Sequence, residues 1–363
     1  NIKDFFSSEE FSVDIFQNTL IKKFYGQGSV IKINENEANE IKNSLVIGTL
    51  PQVQITAKDF REFIYKVYES EKRIALEALK SGKNIIFIGP PGSGKTVLAI
   101  KVSEEFSNEN NGNGYLLYTV HSGTDYFDLV ARIIPSLEND KLVYKKEKRY
   151  LLEALLGKKV LILDEINRTQ IDTALGIFFT YLEMEHRVQH TDKIKEVIER
   201  ETGENMTSEE LKDKLEFFRV IGTLNVYDKT FLFKLGDALR RRFVFINIGT
   251  PKEKMNIVKE NFETFLKCID FEGEEKFARR LLSIFERINE KKELGIGILK
   301  EFILFSMNYE EEQEAIEKSL IHTILHFFEN DPKWLEIEEI LKEEKLDNAR
   351  EYLRSLNYGF PTS

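Results

Sequence analysis

The run Gly-Pro-Pro-Gly-Ser-Gly-Lys-Thr at positions 89–96 constrains this chain more than any other feature. It fits the pattern GxxxxGK[ST]. It lies between Asn84–Ile88, a nearly all-apolar stretch suited to a buried parallel strand, and Thr96–Phe106, which reads as a helix. Its glycines let successive backbone N–H groups turn inward on an anion, and the helix adds the positive end of its dipole at the same place. Gly89, Pro90, Pro91, Gly92, Ser93, Gly94, Lys95, Thr96 and Val97 are therefore the expected phosphate-contacting set. Lys95 is expected to reach the outer phosphates of a nucleoside triphosphate, ATP or GTP. The Thr96 hydroxyl is the expected ligand of a Mg²⁺ cofactor. A glycine-rich turn that merely links strand to helix is the plainer alternative, and the full eight residues in this context argue against it.

The chain has 363 residues, 62 acidic and 52 basic, for a net charge of −10. That length suggests two domains, and 42% hydrophobic with 31% charged residues is a normal globular mixture. An acidic total argues against a uniformly basic nucleic-acid coat but leaves room for a local basic groove. Cys268 is the single cysteine, which excludes an internal disulfide framework and a Cys-rich zinc module. A reducing, cytoplasmic setting is the expectation. Residues Asn1 to Glu10 hold no apolar signal core, and no run of about 18 uncharged apolar residues suggests a membrane span. The sequence opens on Asn rather than Met. Residues 1–55, with only short strand-like pieces, are expected to be the remnant of a longer N-terminal domain.

The fold class expected from the pattern is α/β. A helix is expected from about Ala57 to Ser81, stopped by Gly82. Further strands are expected at Tyr115–Val120, Lys159–Leu163, Phe218–Leu224 and Phe243–Ile248, alternating with helices, so the sheet should be parallel and covered on both faces. A charged, helical-looking insertion spans about Gln189 to Glu216. After Gly249-Thr250-Pro251 the pattern is helical to about Leu356. The expected division is 1–55 as an N-terminal segment, 56–250 as a nucleotide-binding domain and 251–363 as a helical lid with C-terminal helices.

Three further groups bear on chemistry. The apolar strand Val160–Leu163 ends in Asp164-Glu165, where hydrolysis needs two carboxylates with different jobs. Asp164 is expected to hold Mg²⁺ and Glu165 to polarise the attacking water as general base. The fourth strand leads into Asn225, placed to orient that water, and Asp228 follows three residues later. Asp228 either reads a guanine edge or caps a turn. Arg240, Arg241 and Arg242 are adjacent guanidiniums that repel one another and so need anionic partners. A finger reaching a neighbouring subunit's nucleotide is one reading of them, and a solvated basic turn or structural ion pair is the other. Two weaker signals remain. Lys141, Lys145, Lys146, Lys148 and Arg149 interleave with Tyr144 and Tyr150. They read as a solvated helix face, or as a surface that nucleic acid or polypeptide could touch. His186 and His190 are four apart beside Glu185, with no third metal ligand in reach by sequence.

Phosphate loop, Asp-Glu strand end, Asn225, the arginines before the fifth strand and the helical tail together resemble the AAA+ ATPases. Leu163-Asp164-Glu165-Ile166-Asn167-Arg168 is similar to the DEINR segment of the MoxR and McrB groups. Gly222-Thr223-Leu224-Asn225-Val226-Tyr227-Asp228, followed by Ala238-Leu239-Arg240-Arg241-Arg242-Phe243, resembles the McrB branch. The resemblance implies a P-loop NTPase sheet of order 5-1-4-3-2 with a C-terminal helical lid. It implies Glu165 as catalytic base, Asn225 as sensor, Arg241 and Arg242 as finger candidates, and Asn167 and Arg168 near a subunit interface. It also implies a homo-oligomeric ring, with the hexamer as the expected form, and the motor role of a modification-dependent restriction system. There a McrC-like nuclease partner cuts, and DNA is engaged through another domain or the ring pore. A MoxR-like ATP-driven remodeller of protein complexes is the alternative. Leu224 stands where McrB has Met, Val226-Tyr227 replace Thr-Ala, and Gly295–Lys300 offers only Lys300 where a lid arginine is expected.

Overall fold

The computed structural model describes residues 56–138, 141–226 and 237–358. Two helices open it, α1 (Phe60–Val67) and α2 (Glu69–Lys80), where the periodicity predicts one. The break falls at Tyr68, at φ −105° and ψ 30°. Its buried side chain explains the break, because its hydroxyl donates to the Gly249 carbonyl at 2.8 Å and so ties the helix pair to the exit of the last strand.

The α/β part then runs through β1 (Asn84–Gly89), α3 (Lys95–Glu109), β2 (Tyr115–Thr119), α4 (Tyr126–Leu129), β3 (Ala131–Glu138) and β4 (Lys141–Lys148). It continues with α5 (Tyr150–Leu156), β5 (Val160–Asp164), α6 (Ile171–Leu175), α7 (Met184–Gln189), α8 (Thr191–Thr202) and α9 (Ser208–Phe217). It closes with β6 (Val220–Asn225), α10 (Asp237–Arg242) and β7 (Phe243–Asn247). Five strands pair in parallel in the order β2-β5-β6-β1-β7. Read from the other edge, this is the 5-1-4-3-2 order expected for the five sequence-predicted strands.

Side chains alternate across this sheet with the period of two that a strand imposes. Ile85 and Phe87 of β1, Val160 and Ile162 of β5, and Ile221 of β6 enter one core. Ile86, Leu161, Leu163 and Val220 enter the other. The first core continues without a break into α11 (Lys252–Glu260), α12 (Phe262–Cys268), α13 (Glu275–Lys291), α14 (Ile296–Ser306), α15 (Glu312–Thr323), α16 (Trp334–Glu343) and α17 (Asp347–Tyr358). Among the described residues no strand follows β7. Buried Asn289 on α13 ties this helical part to β7: its amide donates to the Thr250 carbonyl at 2.8 Å, and its oxygen accepts from Leu294 N at 2.7 Å. Among the described residues no helix is long and apolar enough to cross a membrane.

The basic stretch at 141–149 corrects the helix-face expectation. It forms β4, paired antiparallel with β3 as a separate two-stranded sheet, with Ile133 opposite Lys146 and Leu137 opposite Leu142. Ile133, Leu137, Leu142 and Tyr144 are exposed, so neither strand carries the run of buried apolar residues that marks the central strands.

The insertion between α6 and β6 packs Ile194, Val197 and Ile198 of α8 and Leu211 and Leu215 of α9 into the second core, and a buried arginine fixes its ends. Arg187 on α7 is 1% exposed and has no carboxylate partner among the described residues. Its guanidinium donates to the carbonyls of Leu215 at 2.6 Å, Leu182 at 2.6 Å and Phe218, so it caps α9 and the approach to β6. Arg219 repeats the device with the carbonyls of Leu79, Glu216 and Phe218. Carbonyls buried without a partner each carry a desolvation cost. Arg187→Met is therefore expected to lower the unfolding free energy in urea by about 3 kcal/mol or more. Arg200→Met, at a position whose side chain is 66% exposed, is expected to shift it by no more than about 0.5 kcal/mol.

Candidate functional site

Parallel pairing brings three strand ends together. Gly89 at the end of β1 lies in register with Asn225 at the end of β6, and β5, ending at Asp164, flanks β6 on its other side. This is the carboxyl edge of the sheet, where open α/β folds bind ligands.

Between β1 and α3 the loop uses its glycines as the motif demands. Gly92 has φ +71° and Gly94 φ +90°, in the left-handed region. The loop is pressed from both sides. A Cβ on Gly94 would come within 2.8 Å of the Ile64 side chain on α1. From the other side, Gly295 N donates to the Pro91 carbonyl at 3.1 Å and Gly297 N to the Gly92 carbonyl at 2.8 Å. A Cβ on Gly295 would lie 2.0 Å from the Gly92 carbonyl carbon, so only glycine allows this approach. Sequence reasoning missed the contact. Its one signal was the Gly-Ile-Gly at 295–297 opening an otherwise apolar helix. Lys300, the cation considered there, instead lies over the Phe60 ring, 5.0 Å from its centroid.

Lys95 folds back over the loop, its ammonium donating to the carbonyls of Gly89 at 3.0 Å and Pro90 at 2.7 Å. Burial brings its pKa down to about 8, against the upward pull of Asp164 and Glu165. Val97 follows on the first turn of α3.

The acidic strand end is a chain of hydroxyl–carboxylate bonds. Thr96 Oγ1 donates to Asp164 Oδ1 at 2.7 Å. Thr223 Oγ1 on β6 donates to the same oxygen at 2.7 Å and accepts from Glu165 N at 2.9 Å. Glu165 itself leaves the strand at φ +58° and ψ 46°. A non-glycine residue there costs roughly 1–2 kcal/mol, and such strain is concentrated at functional sites. Its carboxylate is ion-paired with Arg168 one turn on. The Thr96 hydroxyl and the Asp164 carboxylate are hard oxygen donors within 2.7 Å of each other, and their chemistry fits Mg²⁺.

The arginines divide. Arg240 and Arg241 are exposed at the end of α10. Arg242 lies over the Phe179 ring, 4.7 Å from its centroid, with its Nε 3.5 Å from Glu183. Asn167 is 1% exposed, and Arg168 is occupied with Glu165. Asp228 lies outside the described residues. His186 and His190 lie with ring centroids 4.4 Å apart and their planes tilted by 57°, each with a ring nitrogen at a backbone carbonyl. Among the described residues no group of three or more His, Cys, Asp or Glu could hold a metal.

Residues 84–243 match the AAA domain (dynein-related subfamily). The chain is 26% identical over 232 residues to the type IV methyl-directed restriction enzyme EcoKMcrB subunit of Escherichia coli K12, an alignment covering 60% of this chain and 44% of that protein. It is 26% identical over 198 residues to the insertion sequence IS232 putative ATP-binding protein of Bacillus thuringiensis, covering 53% of this chain and 69% of that one. The chain thus spans less than half the length of the restriction subunit it matches. Among solved structures, a mutant form of Thermotoga maritima RuvB aligns with 80% of this chain and 80% of its own, at 16% identity and a TM-score of 0.39.

Two outcomes follow from the loop. The ordinary lysine value is 10.5 and the folded value about 8. The buried ammonium therefore costs stability at neutral pH, and that cost fades as pH rises from 8 towards 10.5. Bound phosphates would hold the proton that the free loop loses, so affinity for a non-hydrolysable nucleotide should be about tenfold weaker at pH 9 than at pH 7. Calorimetric titration across that range checks this, with Lys95→Ala expected to bind weakly and without the pH trend. Gly295→Ala is expected to weaken the same binding at least about tenfold, since the loop must move to admit the methyl group.

Proposed function

We propose that this AAA-type chain hydrolyses nucleoside triphosphates and acts as the ring-forming motor of a McrB-like, modification-dependent restriction system. The observation that carries the reading is the bond chain from Thr96 through Asp164 and Thr223 to Glu165, beside a loop with the phosphate-binding sequence. Residues 56–250 are read as the nucleotide-binding domain and 251–363 as the lid.

In this reading the backbone N–H groups of the loop and Lys95 hold the phosphates, and their charges favour the build-up of negative charge on the transferring group. Thr96 and Asp164 would hold Mg²⁺, which when bound neutralises phosphate charge. Glu165 takes a proton from the attacking water, and Asn225, beside Gly89 at the sheet edge, orients that water. Arg241 is the finger supplied to a neighbouring subunit. It is exposed, whereas Arg242 is seated on Phe179 and Glu183 of its own chain. A trans finger requires a homo-oligomer, and the hexamer is the expected ring. DNA and a McrC-like nuclease are the proposed partners, with the β3–β4 hairpin as a surface facing the translocated strand. The similarity to the EcoKMcrB subunit supports this assignment.

Phosphate release with ATP and with GTP, each beside Glu165→Gln, tests the reading. Loss of at least about 100-fold in the variant is expected. GTP preferred about tenfold, or about 1.4 kcal/mol, is expected for the McrB-like assignment. A preference for ATP would overturn the GTP part of it, and equal rates in chain and variant would overturn the hydrolytic site. Arg241→Ala is expected to lose about 10³-fold in rate. Mixing it with Glu165→Gln should restore part of the activity, because some interfaces then pair an intact base with an intact finger. No recovery on mixing would place the finger's action within its own subunit.

A further inference from the structure

The geometry points to Thr223 as a positioning residue of the hydrolytic site, one that holds both acids at the end of β5 without touching the nucleotide. This rests on the reading of Asp164 and Glu165 given above. Thr223 is 1% exposed and sits two residues before Asn225. The backbone register of β5 on β6 runs from Leu161 opposite Val220 to Leu163 opposite Gly222. Two residues further on, past the strand's last residue Asp164, the backbone turns into the left-handed conformation of Glu165. The Glu165 N–H is met there by the Thr223 hydroxyl at 2.9 Å. The same hydroxyl spends its proton on Asp164 Oδ1 at 2.7 Å. A hydroxyl has one proton to donate and lone pairs to accept with, so a single side chain satisfies two consecutive residues.

The two bonds act on different groups. The bond to Asp164 fixes the rotation of the carboxylate, which also accepts from Thr96. If Thr96 turns to a cation, Thr223 is the donor that remains. The bond to Glu165 N fixes the peptide preceding the left-handed residue, and so the direction in which that carboxylate leaves the strand. Valine matches threonine in shape and lacks the hydroxyl. It therefore removes both bonds with little change in volume, while serine keeps both.

Three readouts on the full chain test this. In the nucleotide-free protein, hydrogen exchange at the Glu165 amide is expected to speed up at least tenfold in Thr223→Val and to stay near the unsubstituted rate in Thr223→Ser. With nucleotide, Thr223→Val is expected to lose at least 100-fold in kcat while the affinity for nucleotide without Mg²⁺ changes less than threefold. Thr223→Ser is expected to stay within threefold on both measures. The proposal is overturned if both variants lose kcat alike, if Thr223→Val keeps its kcat, or if the Glu165 amide exchanges no faster in Thr223→Val. The exchange measurement needs no turnover. A failure of the hydrolytic reading, seen as equal rates in Glu165→Gln and the unsubstituted chain, is therefore told apart from a failure of this one.

Discussion

The rest of the site depends on a close approach between two stretches of backbone. The phosphate loop has little regular structure of its own, and a loop of this kind keeps its shape only through its neighbours. Here α1 presses Ile64 against Gly94, and the start of α14 hydrogen-bonds to the Pro91 and Gly92 carbonyls. Because Gly295 has no Cβ, the two chains meet main chain to main chain. The N-terminal helices and the C-terminal helices therefore clamp the same few residues, and they share one continuous core with a face of the sheet.

Several buried polar groups are spent on backbone at the ends of elements. Buried guanidiniums are spent on carbonyls at helix and strand ends, as with Arg187 and Arg219, where no carboxylate is needed because several partial charges share the cation. Thr223 beside Glu165 and Asn289 beside Thr250, both buried, are spent where strands end or change direction. The insertion thus reaches the site indirectly. Arg187 fixes the Phe218 carbonyl, two residues before β6 begins, and β6 carries Thr223 and Asn225 to the sheet edge.

What the sequence made legible was what local chemistry determines. β1, β5 and β6 are short apolar runs buried on both faces, and such runs are hard to hide. The loop and the Asp164-Glu165 step carry their chemistry in consecutive residues. What could not be read depends on partners distant in the chain. The helix break at Tyr68 needs the carbonyl of Gly249. The β3–β4 hairpin has apolar residues facing outward, so its alternation carries no core signal. Thr223 reads as one more residue of a buried strand until the pairing with β5 places its hydroxyl between the Asp164 carboxylate and the Glu165 backbone N–H. The separation of Arg241 from Arg242 likewise depends on Phe179, far upstream.

The clamp at Gly92 has a mechanical consequence. Helix α14 starts at the clamp and runs 11 residues, a rigid rod roughly 16 Å long at 1.5 Å per residue. A tilt of about 10° at its seated end sweeps the far end through about 3 Å. A change of loop shape that alters the seat of this first turn would therefore be felt along the whole rod. That coupling runs through main-chain bonds at Gly295 and Gly297, with no charged side chain in them.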